Sequence, residues 1–279
     1  MEKDETLIKK VKCLCRKARL PMFLNKYGPK KHPLWMFYLA HLVYTRYARC
    51  WRKTARFMEE YYRVFLHWTQ WRRAIAQWPQ WVWAALAQAS VGEESCELGA
   101  IDGTTMARSN PSQHYLRRIG SDGHTSRPIQ EVVMIDVKKR KFLAWRIRAT
   151  PRGEKCDIKY LLDKSPILPK GILMDKGFDS NPLHESIRER GIWSVAPVRK
   201  WCKRGRYRRQ LRDCFDYGLY WQRNLVECLF SAVKRLFGVH IRARTWRAQR
   251  AEINSRFIAY NIKAIISYDS LLSLNNRKL

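Results

Sequence analysis

Three carboxylates occupy positions in the sequence from which they could act together. Asp102 follows an apolar run at residues 98–101, and Asp175 follows a second one at residues 172–174. We expect each run to form a short strand, so that both aspartates lie where a strand ends and a site can open. Carboxylate oxygens are the ligands that hard divalent cations prefer, so a cluster of them would suit a metal ion. An aspartate after a strand is also common in plain turns, and that alternative stays open for each position taken alone.

The third carboxylate, Glu227, lies in a segment at residues 218–237 whose pattern predicts one long helix. At about 100° per residue, Tyr220, Arg223, Glu227 and Lys234 fall within an arc of about 60°. The apolar residues of the segment occupy the other side, which we expect to be buried. The polar line fits a site, but it also fits a surface ladder in which Arg223 and Glu227 form an ordinary i,i+4 ion pair.

Two further aspartates of this region are predicted to be structural. Asp136 falls at a hairpin connection around residues 138–140, and Asp179 falls in a turn before a helix. We expect amide substitutions of both to leave any chemistry intact.

The elements that must position these side chains alternate between strands and helices. The predicted strands cover residues 98–102, 129–137, 141–149, 171–175 and 192–196. The predicted helices cover residues 154–164, a segment between Asn181 and Gly191, and residues 218–237. Three strands in a meander, followed by β-α-β units, predict an α/β fold with a mixed five-stranded sheet and flanking helices.

Taken together, these motifs resemble those of DDE transposases from prokaryotic insertion sequences. The spacing of Tyr220, Arg223, Glu227 and Lys234 is similar to the Y-R-E-K signature of that group. The run Asp175-Lys176-Gly177-Phe178 resembles its D-x-G-[YF] motif, and Asp102-Gly103-Thr104 resembles its first-aspartate motif.

The resemblance implies a ribonuclease-H-like core with three catalytic, metal-binding acids, Asp102, Asp175 and Glu227. It implies DNA contacts for Tyr220, Arg223 and Lys234. The implied activity is cleavage of transposon ends and joining of the freed 3′-hydroxyl to target DNA. Two Mg²⁺ or Mn²⁺ ions, about 3.5–4 Å apart, would activate the attacking oxygen and stabilise the leaving one.

The implied partner is double-stranded DNA, as terminal inverted repeats and as target. A homodimer or higher assembly on DNA is expected, because two ends must be held together. Two alternatives stay open: a ribonuclease-H-like metal-dependent DNA nuclease, and a non-catalytic DNA-binding protein derived from a transposase.

Residues 1–92 are predicted to form a separate helical domain, with helices at residues 34–50, 53–62 and 64–78. One face of the third helix is apolar, and Gln70, Arg72 and Arg73 lie off that face. This pattern fits a helix-turn-helix module in which these three side chains contact DNA, but it also fits a plain helical bundle with a basic surface.

Residues 93–279 form the predicted catalytic domain, which carries a basic segment at residues 199–212. Its cations are Arg199, Lys200, Lys203, Arg204, Arg206, Arg208, Arg209 and Arg212. We expect this segment to contact DNA phosphates through Arg199, Lys203, Arg206, Arg208 and Arg209; a solvated loop is the alternative. The interval from Asp175 to Glu227 is too short for the large β-strand insertion that some members of the resembled family carry.

The charge of the chain favours a polyanionic partner. The 279 residues include 55 lysines and arginines against 24 acids, a formal net charge of +31. Nucleic acid fits this charge better than an anionic membrane surface, because no apolar run approaches the roughly 20 residues of a spanning helix. Eight scattered cysteines without a CxxC pair favour reduced thiols. With the resemblance, these features predict a cytoplasmic, nucleoid-associated prokaryotic protein.

Overall fold

The computed structural model describes residues 2–24, 31–108, 128–202 and 204–262. The chain divides into two compact units, one of Met1–Ser90 with Ala243–Leu279 and the other of Val91–Arg242. The division at residue 91 lies beside the boundary that the sequence analysis places at residue 92. Residues 243–279 are predicted as part of the catalytic domain, but the described part of that stretch, residues 243–262, groups with the N-terminal helices.

The helices and strands are numbered in chain order. Helices α1 to α11 cover Glu2–Lys17, Leu34–Val43, Trp51–Tyr62, Trp68–Gln77, Gln80–Val91, Ile158–Lys164, Asn181–Arg188, Arg206–Asp213, Tyr217–Trp221, Asn224–Phe237 and Trp246–Asn261. Strands β1 to β6 cover Cys96–Arg108, Ile129–Asp136, Lys141–Arg148, Pro169–Met174, Trp193–Val195 and His240–Ile241. A π-helical turn covers Tyr44–Ala48, and 3-10 turns cover Glu154–Asp157 and Lys176–Phe178.

The strands form one mixed sheet in the order β3-β2-β1-β4-β5, with β6 paired to the end of β1. The first three strands are antiparallel neighbours, whereas β4 and β5 run parallel to β1. This arrangement confirms the predicted α/β class, a ribonuclease-H-like mixed sheet with flanking helices. The two-residue strand β6 is a sixth strand that the sequence pattern does not predict.

Helices cover both faces of the sheet. On one face, Val132 and Met134 of β2 belong to a buried cluster with Leu161 of α6 and Ile187 of α7. On the other face α10 buries its apolar side, and Phe230 contacts Phe142 of β3 with ring centroids 6.5 Å apart. Burying one such side chain stabilises the fold by roughly 1.5–3 kcal/mol, which fixes α10 against the strands.

The segment predicted as one helix over residues 218–237 forms two helices, α9 and α10. The amide groups of Gln222 and Arg223 donate to carbonyls three residues earlier, at 3.2 and 3.0 Å, and those of Leu225 and Val226 do the same at 3.1 and 2.9 Å. Such i→i+3 bonds tighten the chain into a 3-10 turn. Arg223 therefore lies at the start of α10, with Glu227 in its first turn.

In the first unit, α4 begins later than predicted. Arg63 ends α3 in the left-handed conformation (φ 54°), and α4 starts only at Trp68, capped by His67. The apolar face is nevertheless buried as predicted, with Trp71 at its centre. Helix α11 contacts α2 and α4.

Helices α1, α5, α8 and α11 have no counterpart among the predicted helices. In α5 the segment Gln80–Val91 is apolar on nearly all sides, so it offers no amphipathic period. In the part of the chain that the structure describes, no helix has both the length and the apolar character required to cross a membrane.

Candidate active site

The two aspartates lie side by side where β1 loses its parallel neighbour. Strands β1 and β4 pair in parallel as far as Ile101 and Met174. Asp102 and Asp175 are the next residues along the two strands. Strand β1 continues to Arg108, so Asp102 lies inside a long strand. The prediction that Asp102 lies where a strand ends is therefore wrong. The opening beside Asp102 comes from the end of β4.

Glu227 is linked to Asp102 through the guanidinium group of Arg223. Arg223 Nη1 donates to Asp102 Oδ2 at 2.9 Å, and Arg223 Nη2 donates to Glu227 Oε1 at 2.8 Å. The predicted i,i+4 pair is therefore present, but it is part of a bridge to β1. The side chain of Arg223 is 14% exposed and that of Glu227 is 57% exposed, so the bridge runs from the surface of α10 to the half-buried Asp102 on β1.

The electrostatics of Asp102 reflect the nearby acids. Burial raises the pKa of Asp102, and the charges of Asp175 and Glu227 raise it further. The amide of Gly103, which donates to Asp102 Oδ1 at 2.8 Å, and the Arg223 guanidinium oppose this rise. The three predicted acids therefore lie within one electrostatic site.

The other two members of the polar line also reach this site. Burial raises the pKa of Tyr220, as do the charges of Asp175 and Asp102, whereas Arg223 lowers it. Lys234 Nζ donates to Thr104 Oγ1 of β1 at 2.8 Å. The structure thus brings Tyr220, Arg223, Glu227 and Lys234 together, although α9 and α10 are separate helices.

The donor set suits a hard divalent cation, because Asp102, Asp175 and Glu227 all offer carboxylate oxygens. Among the described residues, no three acidic, histidine or cysteine side chains already stand in the arrangement of a metal site. The cation that pairs with Asp102 and Glu227 in this structure is the guanidinium of Arg223.

A fourth carboxylate, Glu154, lies beside the same strand. The sequence analysis treats it only as the start of a helix, but its side chain lies directly against the Cα of Gly103. The charges of Asp102 and Asp175 both act on it. The one feature of the sequence that could have indicated this contact is the glycine at position 103, because a Cβ there would collide with the Glu154 carboxylate.

The basic segment at residues 199–212 is held by Asp179, which follows the 3-10 turn Lys176–Phe178 after β4. Asp179 is buried, accepts from Arg208 Nε at 2.7 Å through Oδ1, and accepts from the Arg199 amide at 3.0 Å through Oδ2. Arg208 therefore faces a buried carboxylate, unlike the phosphate contact predicted for it. Asp179 is a tethering residue and not the plain turn residue of the sequence analysis.

The other cations that are predicted to contact phosphates differ in their exposure to solvent. Arg206 and Arg209 are exposed on α8, and Arg199 is half-buried. Lys203 lies outside the described residues. Asp136 is placed as predicted, at the end of β2, where Oδ1 accepts from the Lys139 amide at 2.8 Å in the hairpin turn.

The predicted DNA-contacting residues of the first unit lie on the outer side of α4. Gln70, Arg72 and Arg73 are all exposed. Gln70 Oε1 accepts from the His67 amide at 3.1 Å, so its carbonyl oxygen caps the helix. The guanidinium carbon of Arg72 lies 6.0 Å from the ring centroid of Trp68, in a cation–π contact.

Residues 96–262 match the family model described as "Transposase DDE domain", which covers more than half of the chain. The chain belongs to this family of DDE transposases.

Comparison with solved structures gives similarity to a piggyBac transposase in a synaptic complex with hairpin DNA. The sequence identity is 11%, the TM-score is 0.44, and the similarity covers 93% of this chain and 73% of that chain. Among curated proteins, none matches this sequence.

Proposed function

We propose that this chain is a transposase that cleaves the ends of its DNA element and joins the freed 3′-hydroxyl to target DNA. The observation that supports this proposal is the convergence of Asp102, Asp175 and Glu227 inside a DDE domain, where Arg223 joins Asp102 to Glu227 and the charge of Asp175 acts on Asp102. A protein that only bound DNA would gain nothing from three acids directed at a polyanion, because like charges repel.

In this proposal Asp102, Asp175 and Glu227 hold the divalent cations, Mg²⁺ or Mn²⁺. Bound there, such ions supply a polarised oxygen nucleophile and neutralise charge on the phosphoryl group and the leaving oxygen. Burial, followed by the charges of Asp175 and Glu227, raises the pKa of Asp102, and a cation bound there would favour the charged form of this carboxylate.

Arg223 has the charge and the position to hold the scissile strand. A guanidinium can bind phosphate through two parallel hydrogen bonds. In this structure the Nη1 and Nη2 atoms of Arg223 donate one hydrogen bond each, to Asp102 and to Glu227. Tyr220 and Lys234 flank it and provide further donors for phosphate oxygens.

Two further sets of side chains bind DNA in this proposal, one through the phosphate charge and one through the sequence of the element's ends. The exposed cations Arg206 and Arg209 on α8 contact the phosphate backbone, while Gln70, Arg72 and Arg73 on α4 recognise the element's ends. Two copies of the chain hold two inverted repeats on one complex, which is a homodimer or a higher assembly.

The test is a cleavage and joining assay with the full chain. Inverted repeats in the DNA that flanks the coding sequence supply a labelled end duplex, and a supercoiled plasmid supplies the target, with Mg²⁺ or Mn²⁺ present. We expect a nick that leaves a 3′-hydroxyl, followed by joined products. Cleavage without joining would identify a nuclease, and binding without cleavage would identify a non-catalytic DNA-binding protein.

A further inference from the structure

Glu154 approaches the site from the turn that follows β3. It is the first residue of the 3-10 turn Glu154–Asp157. Its carboxylate occupies the space in which any Cβ at position 103 would lie, so it rests on the peptide that carries Asp102. Glycine at position 103 is what permits this approach.

The sheet itself fixes the position of Glu154. Gln130 of β2 is buried and pairs with Thr105 of β1 in the strand register. Its amide oxygen accepts from the Arg152 backbone at 2.8 Å, and its Nε2 donates to the Arg152 carbonyl at 2.9 Å and to Glu154 Oε1 at 3.4 Å. The turn is thus held by a buried side chain two strands from β4, and the carboxylate is positioned before any ligand arrives.

Several negative charges surround Glu154, and among the described residues no cationic side chain forms a salt bridge with it. Its side chain is half-buried, and the charges of Asp102, Asp175 and Asp157 all act on it. Asp157 next to it is paired with Arg146 at 3.1 Å, but none of the salt bridges among the described residues involves Glu154. A half-buried carboxylate beside other carboxylates is costly unless a cation offsets the charge.

We propose that Glu154 is a fourth carboxylate ligand for the divalent cations held by Asp102 and Asp175. The inference rests on the proposed function, which supplies the cations, and it adds a residue outside the three-acid set. Two divalent cations carry four positive charges, which four carboxylates neutralise. Gln130 is then the residue that orients Glu154, as groups behind a metal ligand commonly do.

The test measures Mn²⁺ binding to the full chain by electron paramagnetic resonance, with no DNA cleavage involved. The variants are Glu154→Gln, Asp102→Asn and, as the matched control, Glu97→Gln, whose carboxylate pairs with Lys170 on an exposed part of the sheet. We expect Glu154→Gln and Asp102→Asn each to weaken Mn²⁺ binding by about tenfold or more. We expect Glu97→Gln to bind like the parent, with all variants folded by circular dichroism.

A second measurement locates the ion. Fe²⁺ with ascorbate and peroxide generates radicals that cut the backbone beside a bound metal. The parent should give fragments ending near residues 102, 154 and 175, and Glu154→Gln should lose the cut near residue 154.

Two results would overturn different claims. If Glu154→Gln binds Mn²⁺ like the parent while Asp102→Asn does not, the assignment of Glu154 is wrong and the proposed function stands. If Asp102→Asn also binds like the parent, the metal site of the proposed function is wrong, and the inference is lost with it.

Discussion

Replacing Asp179 by asparagine should release the basic segment and lower the stability of the unit Val91–Arg242. The side chain of Asp179 is completely buried, and that of Arg208 is 18% exposed. The carboxylate accepts two hydrogen bonds, from Arg208 Nε and from the Arg199 amide. An amide at this position can accept only one of them, and its NH₂ group must face the other donor.

The magnitude follows from the burial of the pair. Removing one partner of a buried ion pair leaves an uncompensated charge, at a cost of about 3–5 kcal/mol. Because the amide keeps one acceptor and Arg208 can turn towards solvent, we expect a loss of about 3 kcal/mol, the lower end of that range. For a unit of this size, such a loss lowers Tm by roughly 6–12 °C.

The matched control is Asp163→Asn, which removes the exposed ion pair of Asp163 with Arg190 at 2.7 Å. An exposed pair contributes about 1 kcal/mol or less. The assay is thermal unfolding by circular dichroism together with limited digestion by trypsin, which cuts after lysine and arginine. We expect faster cutting within residues 199–212 only for Asp179→Asn. Equal Tm values for the two variants, with unchanged digestion, would refute the assigned tether.

Three further predictions concern pH, salt and end recognition. Burial lowers the pKa of His184 to about 4 and that of His41 to about 3, below their ordinary value of 6.5, so the unfolded chain binds these protons first. The free energy of unfolding should therefore fall by a few kcal/mol in total as pH drops from about 6.5 towards 4. Urea titrations at several pH values measure this dependence, and the His184→Gln variant should show a weaker one. Duplex DNA binding should weaken by roughly 10³–10⁵ between 50 and 200 mM salt if 6–10 phosphates are contacted, and a flat salt dependence in fluorescence anisotropy would contradict the electrostatic account. Replacing Arg72 and Arg73 together by alanine should reduce the preference for end DNA over random DNA by about tenfold or more, whereas unchanged discrimination would move end recognition away from α4.

The sequence predicts those parts of the fold that repeat a local pattern. Apolar runs separated by turns give five of the strands in their order along the chain, and the ends of two such runs give Asp102 and Asp175. The helical period places Glu227 with Arg223 even though the helix is interrupted. These features depend on residues that lie a few positions apart, where periodicity carries the information.

Contacts between distant residues could not be predicted in this way. Asp179 meets Arg208 only because α8 returns to the sheet edge, and Glu154 meets Gly103 only because the turn after β3 folds over β1. The length of β1 could not be predicted from local sequence either, because the residues Gly103–Thr105 are not apolar. They continue the strand through their pairing with β2. In the turn before Asn224, i→i+3 hydrogen bonds replace the i→i+4 bonds of an α-helix, and no glycine or proline at residues 219–226 indicates this change.

The most direct test of the central claim compares three acids with one aspartate outside the site. Asp102→Asn, Asp175→Asn and Glu227→Gln each keep the size of the side chain and remove the charge that a hard cation requires. Asp136→Asn is the control, because its carboxylate binds the Lys139 amide in the hairpin turn.

Cleavage of a labelled end duplex in Mn²⁺ is measured for all four variants, with DNA binding and thermal unfolding measured alongside. The account predicts that the three site variants bind the end duplex like the parent and cleave it at background level, while Asp136→Asn still cleaves. Cleavage at the parental rate by any one of the three site variants would contradict the assigned active site.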